Sequence, residues 1–122
     1  MKTDVMVHCG NSPKMERMID LTVALAAKDA DSVKSIVRED FVWKTVGKED
    51  FISFEDLSQK LAKRPDVTEI KVENALSHGK GAMCEGTLSF EGGDVLCFCN
   101  VVTFSSTAKD ALVKEAHTYF IK

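Results

Sequence analysis

The chain has 122 residues, 44% of them hydrophobic and 29% charged, with a formal net charge of -3 at pH 7. That is enough chain for one domain with its own core. Lys and Arg are scattered among Asp and Glu without a basic block, which argues against a nucleic-acid partner, and no apolar run is long enough to span a bilayer, which argues against a membrane one.

Residues 1–11 carry Asp4, His8 and Asn11 where a signal peptide needs an unbroken apolar stretch. They read as a flexible tail or an edge segment ahead of a single domain spanning 12–122, and the protein is expected to be cytoplasmic. Cys9, Cys84, Cys97 and Cys99 lack a paired, loop-rich framework, so they are expected as free thiols.

Ser12 is placed to cap a first helix, with Pro13 at its first position, where no amide donor is needed. Met15, Met18, Ile19, Thr22, Val23 and Ala26 recur at helical spacing, so one stripe of it is buried. Asp29 or Asp31 caps a shorter helix carrying Val33, Ile36 and Val37 on one face. Residues 41–46 follow as a strand with Phe41 and Trp43 on one side, broken by Gly47. After a connector over 48–52, Ser53 opens a third helix with the stripe Phe54, Leu57 and Leu61. Arg64-Pro65 stops it, because a residue before proline is pushed out of helical geometry. Lys60, Lys63 and Arg64 read as solvated surface.

The rest reads as a four-strand antiparallel meander, over 68–77, 81–90, 95–104 and 112–121. Two-residue turns at Gly79-Lys80 and Gly92-Gly93 would set its register. Ala75 then faces Cys84, which faces Val101, and Asn74 faces Glu85, which faces Asn100. One face carries Ile70, Val72, Leu76, Met83, Leu96, Phe98, Val102 and Phe104, and is expected under the helices. The other carries Glu69, Lys71 and Glu73, then Ala82, Cys84, Gly86, Cys97, Cys99 and Val101. A slip of one residue would undo this scheme. Strands this long coil, and Gly86 would permit a bend. The fold class expected is α+β, with three N-terminal helices packed on a strongly bent, mainly antiparallel sheet that forms a cone with an internal pocket. The central strand is apolar on both sides, so a second copy of the chain is expected over its far side.

The sharpest chemical feature is the row Asn74, Glu85, Asn100 on the expected core face. A carboxylate there is partly desolvated, which suits proton transfer. Glu115, His117 and Tyr119 share a face by strand alternation; if it points inward, Glu85 and His117 become an acid–base pair. The alternatives are that Glu85 is a structural residue held by two asparagines, or that the row faces water. Trp43, Asn74, Phe98, Asn100 and Tyr119 are the expected ligand-pocket residues. Cys97 and Cys99 point the same way, roughly 7 Å apart along a strand, but no histidine stands beside them and no knuckle spacing exists, so no metal is expected. No cofactor motif is present either.

The order of elements, ending Glu115-Ala116-His117-Thr118-Tyr119-Phe120-Ile121, resembles the nuclear transport factor two-like superfamily, and within it the SnoaL-like branch. The resemblance covers residues 15–122 in layout. It implies a cone-shaped fold, a pocket between sheet and helices, and dimerisation through the sheet. It also implies a wide choice of roles, from ketosteroid isomerases, cyclases and dehydratases to binding modules. The isomerases' catalytic aspartate maps to Lys44 or Thr45, and the carboxylate of the branch's Tyr-Phe-Asp ending maps to Ile121, so neither acid is present. The sequence therefore points first to a small-molecule-binding pocket domain for a largely apolar ligand, working as a homodimer. The alternatives are a cofactor-free acid–base enzyme using Glu85 and His117, and a dimeric scaffold without ligand.

Overall fold

A computed structural model describes all residues except Cys9 and Asn11; the free-thiol reading of Cys9 and the polar-tail reading of Asn11 lie outside the described residues. The elements are β1 (Lys2–Val5), α1 (Pro13–Ala26), α2 (Ala30–Ile36), β2 (Val37–Thr45), β3 (Phe51–Ser53), a 3-10 turn (Phe54–Asp56), α3 (Leu57–Ala62), β4 (Val67–His78), β5 (Gly81–Phe90), β6 (Val95–Phe104) and β7 (Val113–Ile121). The strands form one seven-stranded sheet in the order β1-β4-β5-β6-β7-β2-β3. β1 runs parallel to β4 and β2 parallel to β7; the other neighbours are antiparallel.

The class is α+β, as expected, with three corrections. The sheet is mixed and open rather than a strongly curled cone, α3 sits mid-chain between β3 and β4, and Val37, expected on the face of the second helix, begins β2. Of the two readings of the N-terminal segment, Lys2–Val5 follows the edge segment. The polar Lys2 and Asp4 hid this short strand, because an edge needs only backbone pairing on one side and its side chains stay exposed.

The helices begin where capping chemistry dictates. The Ser12 side chain accepts from the Met15 amide at 3.3 Å, and Asp29 accepts from the Ser32 amide at 3.2 Å. Met18, Leu21 and Leu25 of α1, with Val33 of α2 and Leu57 and Leu61 of α3, are buried against the sheet. Lys14 is also buried. It donates to the Gly79 and Ser106 carbonyls at 2.8 Å each and lies over the Phe104 ring, tying α1 to two turns of the meander. Its position is one of charge-assisted hydrogen bonding rather than solvation.

Apart from a shift at the start of β4, between Val67 and Glu69, the meander departs from the expected register at two points. The Gly79 turn is as expected, with His78 opposite Gly81, Ala75 opposite Cys84 and Asn74 opposite Glu85. Beyond it a bulge at Glu73 puts Val72 opposite Gly86, so the inward set changes phase within β4. Ile70, Val72 and Ala75 are buried, whereas Leu76 is 62% exposed. On β5, Ala82, Cys84 and Leu88 point inward, and Met83 stands outside beside Leu76 and Val101.

The second departure is the β5–β6 hairpin. Its closing pair is Phe90–Asp94, with Phe90 N–H donating to Asp94 O at 2.9 Å and Gly93 N–H to Phe90 O at 3.2 Å. The loop is thus the three residues Glu91, Gly92 and Gly93, and both glycines take positive φ, +94° and +98°. One extra loop residue slips the ladder by one, so Cys84 faces Asn100 and Glu85 faces Cys99. The two phase changes cancel on β6. Phe98, Asn100, Val102 and Phe104 therefore point inward, as expected.

Candidate functional site

Between α1, the end of α3 and the inner face of the sheet lies a cavity of about 480 Å³. Its walls include Leu25, Ile70, Leu88, Leu96, Phe98 and Phe120, and its neutral polar groups include Thr22, Asn100 and Thr118. Alternation along each strand brings these residues inward: Phe98 lies opposite Gly86 and Phe120, and Asn100 opposite Thr118.

The polar groups form one continuous chain. Trp43 Nε1–H donates to Thr118 Oγ1 at 2.7 Å, Thr118 Oγ1–H to Asn100 Oδ1 at 3.0 Å, and Asn100 Nδ2–H to Thr22 Oγ1 at 2.7 Å. Thr22 Oγ1 meets Cys84 Sγ at 3.3 Å. No buried side-chain nitrogen or oxygen among the described residues lacks a partner. A fully satisfied network in a low-dielectric interior holds its members in place. Every member is neutral, and burial pushes the Cys84 thiol up to about 11, so it stays protonated rather than becoming a nucleophilic thiolate.

Charge enters only toward the rim, through Lys28, Lys48, Asp50, Arg64 and Lys122. Lys28 Nζ pairs with Asp66 at 2.5 Å, and Asp50 pairs with Lys60 at 3.2 Å. Arg64 is different. Its guanidinium lies 4.6 Å from the Trp43 ring centroid and 5.9 Å from that of Phe120, and it belongs to no ion pair among the described residues. Burial disfavours its charged form, with Asp50 opposing from farther away. Its placement follows from the chain stop: Pro65 ends α3 and turns Arg64 back over the cavity rather than into solvent.

Of the residues expected from sequence, Trp43, Phe98 and Asn100 line the cavity. Asn74, Glu85 and Tyr119 stand in one row on the opposite face of the sheet, with Cys99 taking the place expected for Asn100. His117 shares that outer face, in the next row, opposite Val101 and Lys44. Glu85 and His117 are separated by β6, roughly 10 Å across two strand spacings. They form no acid–base pair and neither lines the cavity, because the slipped hairpin turned Glu85 outward and alternation put Ala116 and Thr118, not His117, inside. Glu85→Gln is expected to move the thermal midpoint by no more than the equivalent of ~0.5 kcal/mol, since Glu85 is exposed; a large loss would place it in the core after all. Cys97 and Cys99 are on the outer face while Cys84 is inside, so the three thiols expected on one face are divided.

Thr22 and Thr118 were not assigned to the site, and Arg64, expected as solvated surface, instead lines the cavity against Trp43 and Phe120. Thr22 was one polar member of an apolar helical stripe and Thr118 lay in alternation with His117, both readable signals. Arg64 follows two exposed residues, Ala62 and Lys63, and nothing local marks it as different. At the positions where the resemblance to isomerases and SnoaL-like chains would place an acid, Lys44 is exposed, Thr45 lines the cavity and Ile121 is 69% exposed. Asp50 is the carboxylate on the cavity wall.

No family model matches the chain, and no curated protein matches its sequence. Solved structures do. An NTF-2 like protein of unknown function from Burkholderia xenovorans LB400 superposes with a TM-score of 0.74 at 17% identity, covering 93% of this chain and 86% of its own. A SnoaL-like protein with a polyketide cyclase assignment, from Shewanella denitrificans OS-217, gives 0.72 at 12% identity, covering 92% of each chain. A hypothetical protein with a ketosteroid isomerase-like fold from Catenulispora acidiphila DSM 44928, in complex with trimethylamine, gives 0.68 at 10% identity, covering 85% of this chain and 84% of its own. Over nearly its whole length, then, this chain has the nuclear transport factor two-like fold, shared with SnoaL-like and ketosteroid isomerase-like proteins.

Proposed function

We propose that the chain is a non-covalent binding domain for a small, largely apolar organic molecule held in the cavity between α1, the Arg64-Pro65 segment after α3 and the sheet. The observation that carries this reading is the cavity itself: about 480 Å³ of space walled by aliphatic and aromatic side chains, with a few fixed polar groups. A fold neighbour's complex with trimethylamine supports small-molecule binding as a use of this scaffold. Catalysis by proton transfer is less well supported. The deep polar groups are all neutral, and the wall carboxylate, Asp50, is paired with Lys60.

The test is ligand binding with and without the space. In thermal-shift and native mass-spectrometry screens of small apolar molecules, wild type is expected to bind and to unfold at higher temperature. Leu88→Trp, which fills the cavity from its wall, is expected to lose the shift while keeping its circular dichroism. Equal shifts in both proteins, or none in wild type, would remove the proposal.

A second reading concerns the outer face, where Leu76 of β4, Val101 of β6, and Tyr119 and Ile121 of β7 are 62%, 37%, 46% and 69% exposed, with Met83 of β5 between Leu76 and Val101. We infer a homodimer through this face. Sedimentation is expected to give a dimer that Val101→Lys dissociates, and a monomeric wild type would end the inference. The free thiols Cys84, Cys97 and Cys99 favour a reducing, cytoplasmic setting; no helix of the described residues is long and apolar enough to cross a membrane.

A further inference from the structure

We propose that Arg64 makes the cavity selective for amphipathic organic anions, taking a ligand carboxylate at the rim while the apolar body lies against Ile70, Leu88 and Phe98. This rests on the binding reading above and adds the ligand's charge and orientation.

Lys28 is committed to Asp66, and Asp50 to Lys60. Arg64 has no carboxylate partner and no side-chain hydrogen bond among the described residues, although its guanidinium lies 4.6 Å from the Trp43 ring centroid and 5.9 Å from that of Phe120. Stacking offsets part of the cost of taking a cation out of water. A cation–π contact consumes none of the five N–H donors of the guanidinium fork, which stay available to a ligand. A carboxylate matches that fork in plane, and it is the group whose arrival would complete the hydrogen bonding of the site.

The neighbouring charges point the same way. Lys48 and Lys122 also line the cavity and take part in no ion pair among the described residues. An organic cation entering here would meet three uncommitted positive groups and find the Trp43 face already covered. A neutral molecule would gain nothing from the Arg64 donors, which it would leave to water. At the far end Asn100 uses one amide hydrogen on Thr22, which leaves its second for an acceptor on the ligand body.

The experiment uses three probes with one aromatic body and different charge: naphthalene-2-carboxylate, naphthalene-2-methanol and naphthalen-2-ylmethylammonium. Each is titrated calorimetrically into the full chain and into Arg64→Gln. The expected result is that wild type binds the carboxylate at least about tenfold more tightly than the alcohol, with the ammonium weakest, and that Arg64→Gln loses the preference while still binding the alcohol. If wild type binds alcohol and carboxylate equally, or Arg64→Gln keeps the preference, the anion proposal is overturned and the pocket reading stands. If none of the three binds, both fall for ligands of this size. Should Arg64→Gln fail to fold, Arg64→Lys replaces it. There the loss of the planar fork is expected to weaken the carboxylate several-fold and leave the alcohol unchanged; an unchanged carboxylate affinity overturns the proposal.

Discussion

Gly86→Ala is expected to cost at least ~3 kcal/mol of folding stability, and Gly86→Val more. A Cβ on Gly86 would lie 1.7 Å from the Lys71 carbonyl oxygen, 2.8 Å from its carbonyl carbon and 3.1 Å from Val72 Cα. All three are backbone atoms, so no side-chain rotation relieves the overlap. The cause is the bulge at Glu73, which brings the β4 backbone over β5 just where Val72 pairs with Gly86. The residue is thus required by close approach rather than by a bend of its own strand. Gly81→Ala is the control, because its nearest neighbour, the His78 carbonyl oxygen, is 3.7 Å away and the contact is ordinary. Denaturant midpoints are expected to fall sharply for Gly86→Ala and stay within ~0.5–1 kcal/mol of wild type for Gly81→Ala. A Gly86→Ala midpoint equal to wild type would mean that the bulge does not press on β5.

Asn100→Leu is expected to destabilise by roughly 2–5 kcal/mol, the cost of leaving two buried partners unsatisfied. Asn100 is 2% exposed and joins the Thr118 and Thr22 hydroxyls; without it one loses an acceptor and the other a donor. Trp43, which donates to Thr118, is the single tryptophan of the chain, so its fluorescence reports the damage directly. Asn100→Asp adds a pH signature. A carboxyl at this depth is desolvated, so its folded-state pKa lies above the unfolded value of about 3.9. The neutral form is the one the fold accepts. Stability is then greatest below the unfolded pKa and declines as pH rises through the folded one, opposite to the usual salt-bridged aspartate. A variant whose stability rises with pH over that range would show that the new carboxyl is solvated and that Asn100 does not sit at the base of a closed cavity.

These two residues show how far local rules reach. Gly86 was readable as a special position from an isolated glycine within a strand pattern, but the reason for it was not, since the bulge that presses on it is a property of the pairing with β4. Asn100 was placed correctly on the inner face. Glu85, fifteen residues earlier, was not, because one additional residue in the Glu91-Gly92-Gly93 loop reverses every side chain on β5 relative to β6. A two-glycine segment is compatible with either loop length, and the flanking residues Phe90 and Val95 suit both registers. Arg64 was legible as a helix stop and not as a cavity group. What it faces, Trp43 and Phe120, comes from strands β2 and β7 that are far from it in sequence.

The chain alone determined the helices, the caps of the first two, the meander and the fold they compose, because these depend on periodicity, capping and turn chemistry within a few neighbouring residues; Ser53, expected to open the third helix, precedes a 3-10 turn without a side-chain cap and α3 begins at Leu57. Only the tertiary structure decided which faces of β4 and β5 meet the helices, that β1 and β3 close the edges, and that Thr22, Asn100 and Thr118 share one hydrogen-bond chain. Those outcomes depend on backbone pairing between distant strands, where a single-residue bulge or loop extension has little local cost and inverts the side-chain pattern beyond it.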